Sequence, residues 1–350
     1  MACCLPDSSR GARGERVNAS EAKQNGAVSW DARLGAWIVD EADACRAFLT
    51  HESLSPPPYV ELYGELEERF GLDFSNLRLA FGHIPLCLHG ARHAAARKAI
   101  AGQLARRRRT VLSTMAERVA RHFGILARPG RVELMAQAIE PFVADFMGAL
   151  IAIEDAGLDP DSLISRIFSR GMGIAKRKRA EAEVAALRAR IEASGVHDEA
   201  DVGQKLAMMI LGRDALTGTL AYSLRDVLAA GEGAPFAALD WPDLPGATGV
   251  PYIERMAHEA VTVEGLDLAP GDRVRIMLRA FGQTGDPRDR AQFFGTGAHT
   301  CLGRPIALEA WTAIGRFLKV LPTSVGPVAC TARNDDIFAI PASLDLEVRP

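Results

Sequence analysis

One cysteine sits where its neighbours define its chemistry. The stretch Phe294-Gly295-Thr296-Gly297-Ala298-His299-Thr300-Cys301-Leu302-Gly303 places Cys301 between a tight, glycine-containing loop and an apolar helical segment. The thiolate is the nucleophilic and metal-ligating form of cysteine. It is favoured by nearby positive charge and by the unpaired N–H groups of a helix N-terminus. Gly295 and Gly297 suit turns with positive φ and let backbone pass close to a flat ligand. N–H groups that follow Cys301 would donate to its sulfur. Two other readings use the same residues. A free buried cysteine in a helix-start turn would do no chemistry. A Cys301–His299 hydrolytic pair would, but residues two apart rarely form a nucleophile and base, and no third orienting group is evident.

The pattern F-G-x-G-x-H-x-C-x-G specifies six positions in ten and resembles the haem-ligand loop of the cytochrome P450 family. The resemblance implies that Cys301 ligates the iron of haem b and pushes electron density toward it, favouring O–O cleavage. It implies that Phe294 packs beside the sulfur and keeps water off it, that the Gly295, Gly297 and Gly303 backbone shapes the loop, and that His299 points at a haem propionate. An early helical region, residues 90–122, carries His93-Ala-Ala-Ala-Arg97. Spacing of four puts both side chains on one helical face, and in the family such an H-x-x-x-R pair reaches the propionates. An ordinary solvated helix face is the alternative. His89 and His93 also have the spacing of a metal pair, but Gly90 lies between them and no carboxylate is near. Arg255 falls where family members place another propionate-binding arginine, or it is a surface strand arginine.

Residues 200–230 read as one long helix, with Val202, Leu206, Met209, Ile210, Leu216, Leu220, Leu224 and Val227 in helical period. Its centre is Leu211-Gly212-Arg213-Asp214-Ala215, where the family usually has A-G-x-[D/E]-T. The resemblance implies that Gly212 makes room for dioxygen and that Asp214 feeds protons. Ala215 stands where the relay threonine is expected, so a water or a substrate group would hold that part of the relay. Thr217 and Thr219 follow on different faces. Arg213 reads either as a solvent-facing helix residue or as a binder of a substrate carboxylate, as in some peroxide-using relatives. A second departure is larger. The family's E-x-x-R pair is absent, because no Glu in this chain is followed by Arg three residues later. Residues 231–250 are rich in Gly, Pro, Asp and Ala, which predicts that the helix bearing that pair is deleted or replaced by a loop.

The elements that must position these residues follow from pattern. Residues 27–39 predict a β-hairpin turning at Asp31 to Gly35, then a helix from near Glu41, with Ser-Pro-Pro-Pro at 55–58 closing the region. Residues 131–154 and 161–194 predict helices, the second carrying Lys176-Arg177-Lys178-Arg179 and forming, by resemblance, a substrate lid. Arg106 to Arg109 is a block of four cations, read as a solvated turn or as a dock for an acidic electron donor. Strands are expected over 250–255, 260–265 and 268–274, the last running on through Leu278, with a shortened meander at Thr284-Gly285-Asp286-Pro287. After Cys301 a helix sends Leu302, Ile306, Leu308, Trp311, Ile314, Phe317 and Leu318 to the core, with Pro305 tolerated in its first turn. Short strands near Phe338 to Ile340 and Leu344 to Val348 end the chain.

Composition narrows the class. Of 350 residues, 48% are hydrophobic and 24% charged, as in a core-forming globular protein. Net charge is −3 and aromatics are 6%, which gives no argument for a nucleic-acid surface. No run approaches the roughly eighteen apolar residues of a membrane span. Six cysteines without C-x-x-C or zinc spacing fit a reducing, cytoplasmic setting. Residues 1–26 read as a flexible lead-in, and 27–350 as one mainly α, cytochrome P450-like domain with small β-sheets, haem lying between the long helix and the cysteine loop. The expected activity is a haem-thiolate monooxygenase acting on a small organic molecule in a biosynthetic tailoring step, fed by a ferredoxin- or flavodoxin-type donor. The alternatives are a peroxide-using, dehydrating or rearranging haem-thiolate enzyme, and a non-catalytic haem-binding partner protein.

Overall fold

The computed structural model describes residues 27–153, 162–169, 171–333 and 337–350. The expected lead-in with Cys3 and Cys4, and residues 154, 161 and 170 of the expected helices, lie outside the described residues. Strand β1 (Val28–Asp31) and β2 (Ala36–Val39) form the expected hairpin. Asp31 Oδ1 pins its turn by accepting the N–H groups of Arg33 and Leu34 at 2.9 and 3.0 Å. Glu41 caps helix α1 (Ala42–Thr50), accepting the Ala44 N–H at 3.0 Å. After β3 (Leu54–Ser55) and the prolines come α2 (Tyr59–Phe70), α3 (Ser75–His83) and α4 (Gly90–Ser113). The basic region breaks at Thr114, and α5 (Met115–Phe123) follows.

Two expectations fail next. Residues 131–154 do not begin as helix: β4 (Gly130–Glu133) and a π-helical turn, Met135–Ile139, precede α6 (Glu140–Ile151). Likewise Ile164–Phe168 is a 3₁₀ segment, and α7 starts only at Ile174, running to Ala193. The strand wins at β4 because β10 pairs with it, a long-range term invisible to local propensity.

Helix α8 (Glu199–Ala230) is the long helix foreseen, capped by Asp198 accepting the Asp201 N–H at 2.9 Å. Its apolar stripe is buried, except that Val227 is half-buried. Strands β5 (Tyr252–Ala257), β6 (Val261–Val263), β7 (Leu266–Leu268) and β8 (Arg273–Met277) come next. Helix α9 (Arg304–Leu318) follows Cys301, with Pro305 in its first turn. The C-terminal pair is β9 (Ser324–Ala332) and β10 (Pro341–Arg349), whereas Phe338 to Ile340 is not a strand. Gly326 and Pro327 interrupt the alternating pattern that would have revealed β9.

One sheet has the order β1-β2-β8-β5-β3, with β2 and β8 parallel, and a second has the order β4-β10-β9. A large core of helical side chains is centred on α8, and a smaller core lies on the five-stranded sheet. Between Ala230 and Tyr252 the chain holds only one 3₁₀ turn, Phe236–Ala238, so the expected loss of a helix is met. The replacing loop is tied to the start of β9: Gly233 N–H donates to Val325 O at 2.8 Å, and Phe236 N–H to Thr323 O at 3.1 Å.

Candidate functional site

Between α8 and the Cys301 loop lies a cavity of about 340 Å³. Leu211, Gly212, Ala215 and Thr219 of α8 form one wall, and Phe294, Gly295, Cys301, Gly303 and the first turns of α9 form the opposite one. The loop is built by backbone bonds. Cys301 N–H donates to Phe294 O at 2.7 Å, Gly295 N–H to Gln292 O at 2.9 Å, and Thr300 N–H to Gly297 O at 3.2 Å. Gly295 and Gly297 both have positive φ, +74° and +64°, which glycine adopts without the steric cost of a side chain. Gly297 does not reach the cavity; it sits against Thr50 of α1.

Cys301 opens toward the cavity and not toward bulk solvent: its exposed face lines the cavity, and its sulfur is otherwise enclosed by protein. Burial pushes the thiol pKa up. The nearby backbone N–H groups of Gly303 and Arg304 oppose this, with help from the charges of Arg97 and Arg304; the Arg304 N–H itself donates to Cys301 O at 3.4 Å. The sulfur therefore lies just before the N-terminus of α9, an environment that favours a thiolate.

Arg97, Arg255 and His299 line one edge of the cavity, with His93 packed against His299. Arg97 Nη1 of α4 donates to Thr300 O at 2.8 Å and so ties α4 to the cysteine loop. The His93 and His299 rings lie 4.1 Å apart, and of the two only His299 lines the cavity. Among the described residues no three His, Cys, Asp or Glu gather as a metal cluster. Burial, then Arg255, then His93 and Arg97 bring His299 down to about 3. Burial, Arg97 and Arg255 lower His93 as well. Burial brings Arg255, only 1% exposed, down to about 10.

Three nitrogens in this cluster, His93 Nε2, His299 Nδ1 and Arg255 Nη2, are buried without a hydrogen-bond partner. Such groups are costly to leave unmade, and the charges of Arg97 and Arg255 lie close together among them. An anion at the cavity edge offsets those charges and offers a partner to Arg255 and His299, which line the cavity. A flat ligand bearing carboxylates at one edge and a metal beneath its face fits the donor set: cations and imidazoles for the carboxylates, Cys301 for the metal. The residues present fit haem.

On the α8 wall, the space that Gly212 leaves is used by Met147 of α6. A Cβ on Gly212 would lie 2.6 Å from Met147 Cε, and both residues line the cavity. Asp214 is buried beside the helix instead of lining the cavity, and Arg213 Nε donates to its Oδ1 at 2.5 Å. Thr217 donates back to Arg213 O. Thr219 stands one turn after Ala215, on the same face. Its hydroxyl donates to Ala215 O at 2.7 Å and accepts the Gly249 N–H at 2.8 Å, so the nearest hydroxyl to the vacated threonine position is engaged by backbone on both sides.

Sequence reasoning missed the aromatic part of the wall. Tyr59 of α2, Phe168 of the 3₁₀ segment and Phe338 line the cavity; Tyr59 and Phe168 meet edge to face at 5.8 Å. Nothing local marks them, because they come from segments far apart in the chain. Cys87 also lines the cavity, its thiol pushed up by burial. The cation block is divided by the fold: Arg106, Arg108 and Arg109 are exposed, while half-buried Arg107 donates to Ala149 O at 3.0 Å. No helix among the described residues is long and apolar enough to cross a membrane.

No family model matches the chain, and no curated protein matches it by sequence. Solved structures do match. The chain is similar to CalO2 at 18% identity and a TM-score of 0.71, covering 100% of each chain. It is similar to the cytochrome P450 enzyme CYP109B1 from Bacillus subtilis at 15% identity and 0.65, covering 94% of this chain and 98% of that one. It is similar to P450BioI, solved in complex with an acyl carrier protein bearing hexadec-9Z-enoic acid, at 14% identity and 0.64, covering 95% and 97%. With a long helix facing a cysteine loop across one cavity, and these neighbours spanning nearly the whole chain, the protein has the cytochrome P450 fold.

Proposed function

We propose that the protein is a haem-thiolate oxidoreductase and that it oxidises a small, largely apolar organic molecule as a monooxygenase. The observation that carries this reading is the pairing of the cavity-lining Cys301, at the N-terminus of α9, with a cluster of unpartnered buried nitrogens near the cavity edge. Haem b would be held by Cys301 at the metal and by His93, Arg97, Arg255 and His299 at its carboxylates. When bound, it supplies oxygen activation, in which O₂, two electrons and two protons yield one oxygen atom inserted into substrate and one water.

The chain's own residues do the rest. Tyr59, Phe168, Phe338 and Met147 offer an apolar surface that binds substrate and excludes water. Arg97 holds α4 against the loop and keeps the cation cluster in register. Asp214, held by Arg213, does not itself line the cavity, so a proton from it would have to cross to the cavity face of α8 through a water. Because Thr219 is tied to backbone, the last proton-bearing hydroxyl has to be a water or a group of the substrate. Electrons come from a separate ferredoxin- or flavodoxin-type donor in a cytoplasmic setting.

The same hydroxyl gap favours a second reading, in which the enzyme uses peroxide or catalyses a dehydration or rearrangement. Turnover with reductant, donor and O₂ compared with turnover on peroxide alone separates the two. Product formed only with reductant supports the monooxygenase. Product formed only with peroxide supports the second reading.

A further inference from the structure

The loop that replaces the missing helix places one large aromatic side chain against α9. Trp241 stacks on Trp311 with ring centroids 4.1 Å apart and planes 28° from parallel. Trp311 is fully buried, and its Nε1 donates to Pro242 O at 2.8 Å, so the loop and the helix are joined by a stack and a hydrogen bond at adjacent residues. Gly315, one turn beyond Trp311, has no side chain, and its place is taken by the Trp241 ring; a Cβ there would lie 2.5 Å from the indole. Trp241 thus occupies the helix surface at two successive turns.

The stripe it covers leads to the cysteine. Gly303, just before α9, and Ala307, Trp311 and Gly315 within it are spaced by four and form a stripe that winds slowly round the helix. At the cavity end of that stripe Gly303 and Ala307 line the cavity, and a Cβ on Gly303 would lie 3.7 Å from Cys301 Sγ. The start of α9 also brings the backbone N–H groups of Gly303 and Arg304 near the sulfur, and the Arg304 N–H donates to Cys301 O at 3.4 Å. A rotation or slide of α9 would therefore move those donors off Cys301. The chain lacks the E-x-x-R pair that anchors the core in the resembling family, and between Ala230 and Tyr252 no helix supplies another brace.

We propose that Trp241 is a positioning residue which, through its stack on Trp311, fixes α9 and so holds Cys301 and its N–H donors in ligating geometry. This rests on the reading of Cys301 as a haem ligand. The side chain acts by shape and not by its polar atom: Trp241 Nε1 is buried and has no hydrogen-bond partner. Trp241→Phe should therefore keep the function, whereas Trp241→Ala should lose it.

The test compares wild type, Trp241→Phe and Trp241→Ala. In the apoprotein, the alkylation rate of Cys301 is read by peptide mass spectrometry, and the Trp–Trp exciton signal by circular dichroism. In the haem-loaded protein, conversion of the ferrous–carbon monoxide complex from the red-shifted thiolate band to the ordinary band is followed in time. The expected result is a roughly tenfold faster alkylation and band conversion in Trp241→Ala, with Trp241→Phe close to wild type. Unchanged rates in Trp241→Ala overturn the proposal, as does a Phe variant as impaired as the Ala variant. Should Trp241→Ala not fold, Trp241→Leu retains apolar bulk without the flat stack, and wild-type rates there overturn the proposal equally. If wild type itself shows no thiolate band, the haem reading fails, and the apoprotein alkylation still decides whether Trp241 positions Cys301.

Discussion

Replacing Arg255 by Leu should stabilise the protein without its cofactor and weaken its hold on that cofactor. Arginine ordinarily titrates near 12.5, and burial brings Arg255 down to about 10. That gap corresponds to about 3 kcal/mol against the charged form in the fold. The group is almost fully buried, so water does not screen it. A lowered folded pKa means that the unfolded chain binds more protons between about 10 and 12.5. The penalty is accordingly complete at pH 7, where both states are charged, and lifts only in strong alkali. In return Arg255 makes one hydrogen bond within the chain, from Nη1 to Glu254 O at 3.1 Å, while Nη2 has none. Leucine removes the buried charge but also loses packing of the aliphatic stem, at a cost of about 1–2 kcal/mol. The net expectation for the apoprotein is a gain of about 1–2 kcal/mol in urea unfolding at pH 7. For haem the sign reverses, because a hydrogen bond to a charged group contributes about 1.5–3 kcal/mol, so affinity by haem titration should fall by about tenfold to a hundredfold. An Arg255→Leu apoprotein less stable than wild type, or one that binds haem as tightly, would refute the reasoning.

Three further substitutions probe the frame. Gly212→Ala should leave the fold intact, because the atom it meets is the mobile end of Met147. It should push that methyl into the cavity and weaken binding of an apolar ligand severalfold in a spectral titration, and unchanged binding would count against the Met147 placement. Gly218→Ala should cost about 3 kcal/mol or more in chemical denaturation, because the new Cβ would lie 1.9 Å from the backbone oxygen of Ala339; a variant of normal stability contradicts that close approach. Glu140→Gln should stabilise the protein near neutral pH by less than about 1 kcal/mol, since the site is only half-buried. Burial lifts the Glu140 carboxyl above 4.5, outweighing Arg333 and Arg213. The folded state then holds its proton longer, and stability falls as pH rises from about 4.5. The variant should flatten that slope, and equal slopes from urea melts at several pH values would contradict it.

The proximal half of the site was legible because its determinants are local. Cys301, its glycines and His299 lie within ten residues, and the spacing of His93 and Arg97 puts them on one helical face. The long helix was legible from its apolar period. What stayed hidden depends on distant partners. Strand β4 forms because β10 reaches it, and the aromatic wall assembles Tyr59, Phe168 and Phe338 from three separate segments. The missing E-x-x-R helix was visible as an absence, but its replacement by a tryptophan stack was not, since nothing in the sequence around Trp241 points to Trp311. The engagement of Thr219 was half visible: the spacing of four from Ala215 was on the page, while Gly249, the backbone group that ties it, comes from thirty residues away.

The account turns on Cys301 as a thiolate ligand, and the ferrous–carbon monoxide spectrum of the haem-loaded protein tests this most directly. The prediction is a strongly red-shifted Soret band that disappears in Cys301→Ala. An ordinary histidine-type band in the wild type, or a red-shifted band that survives the substitution, would contradict it.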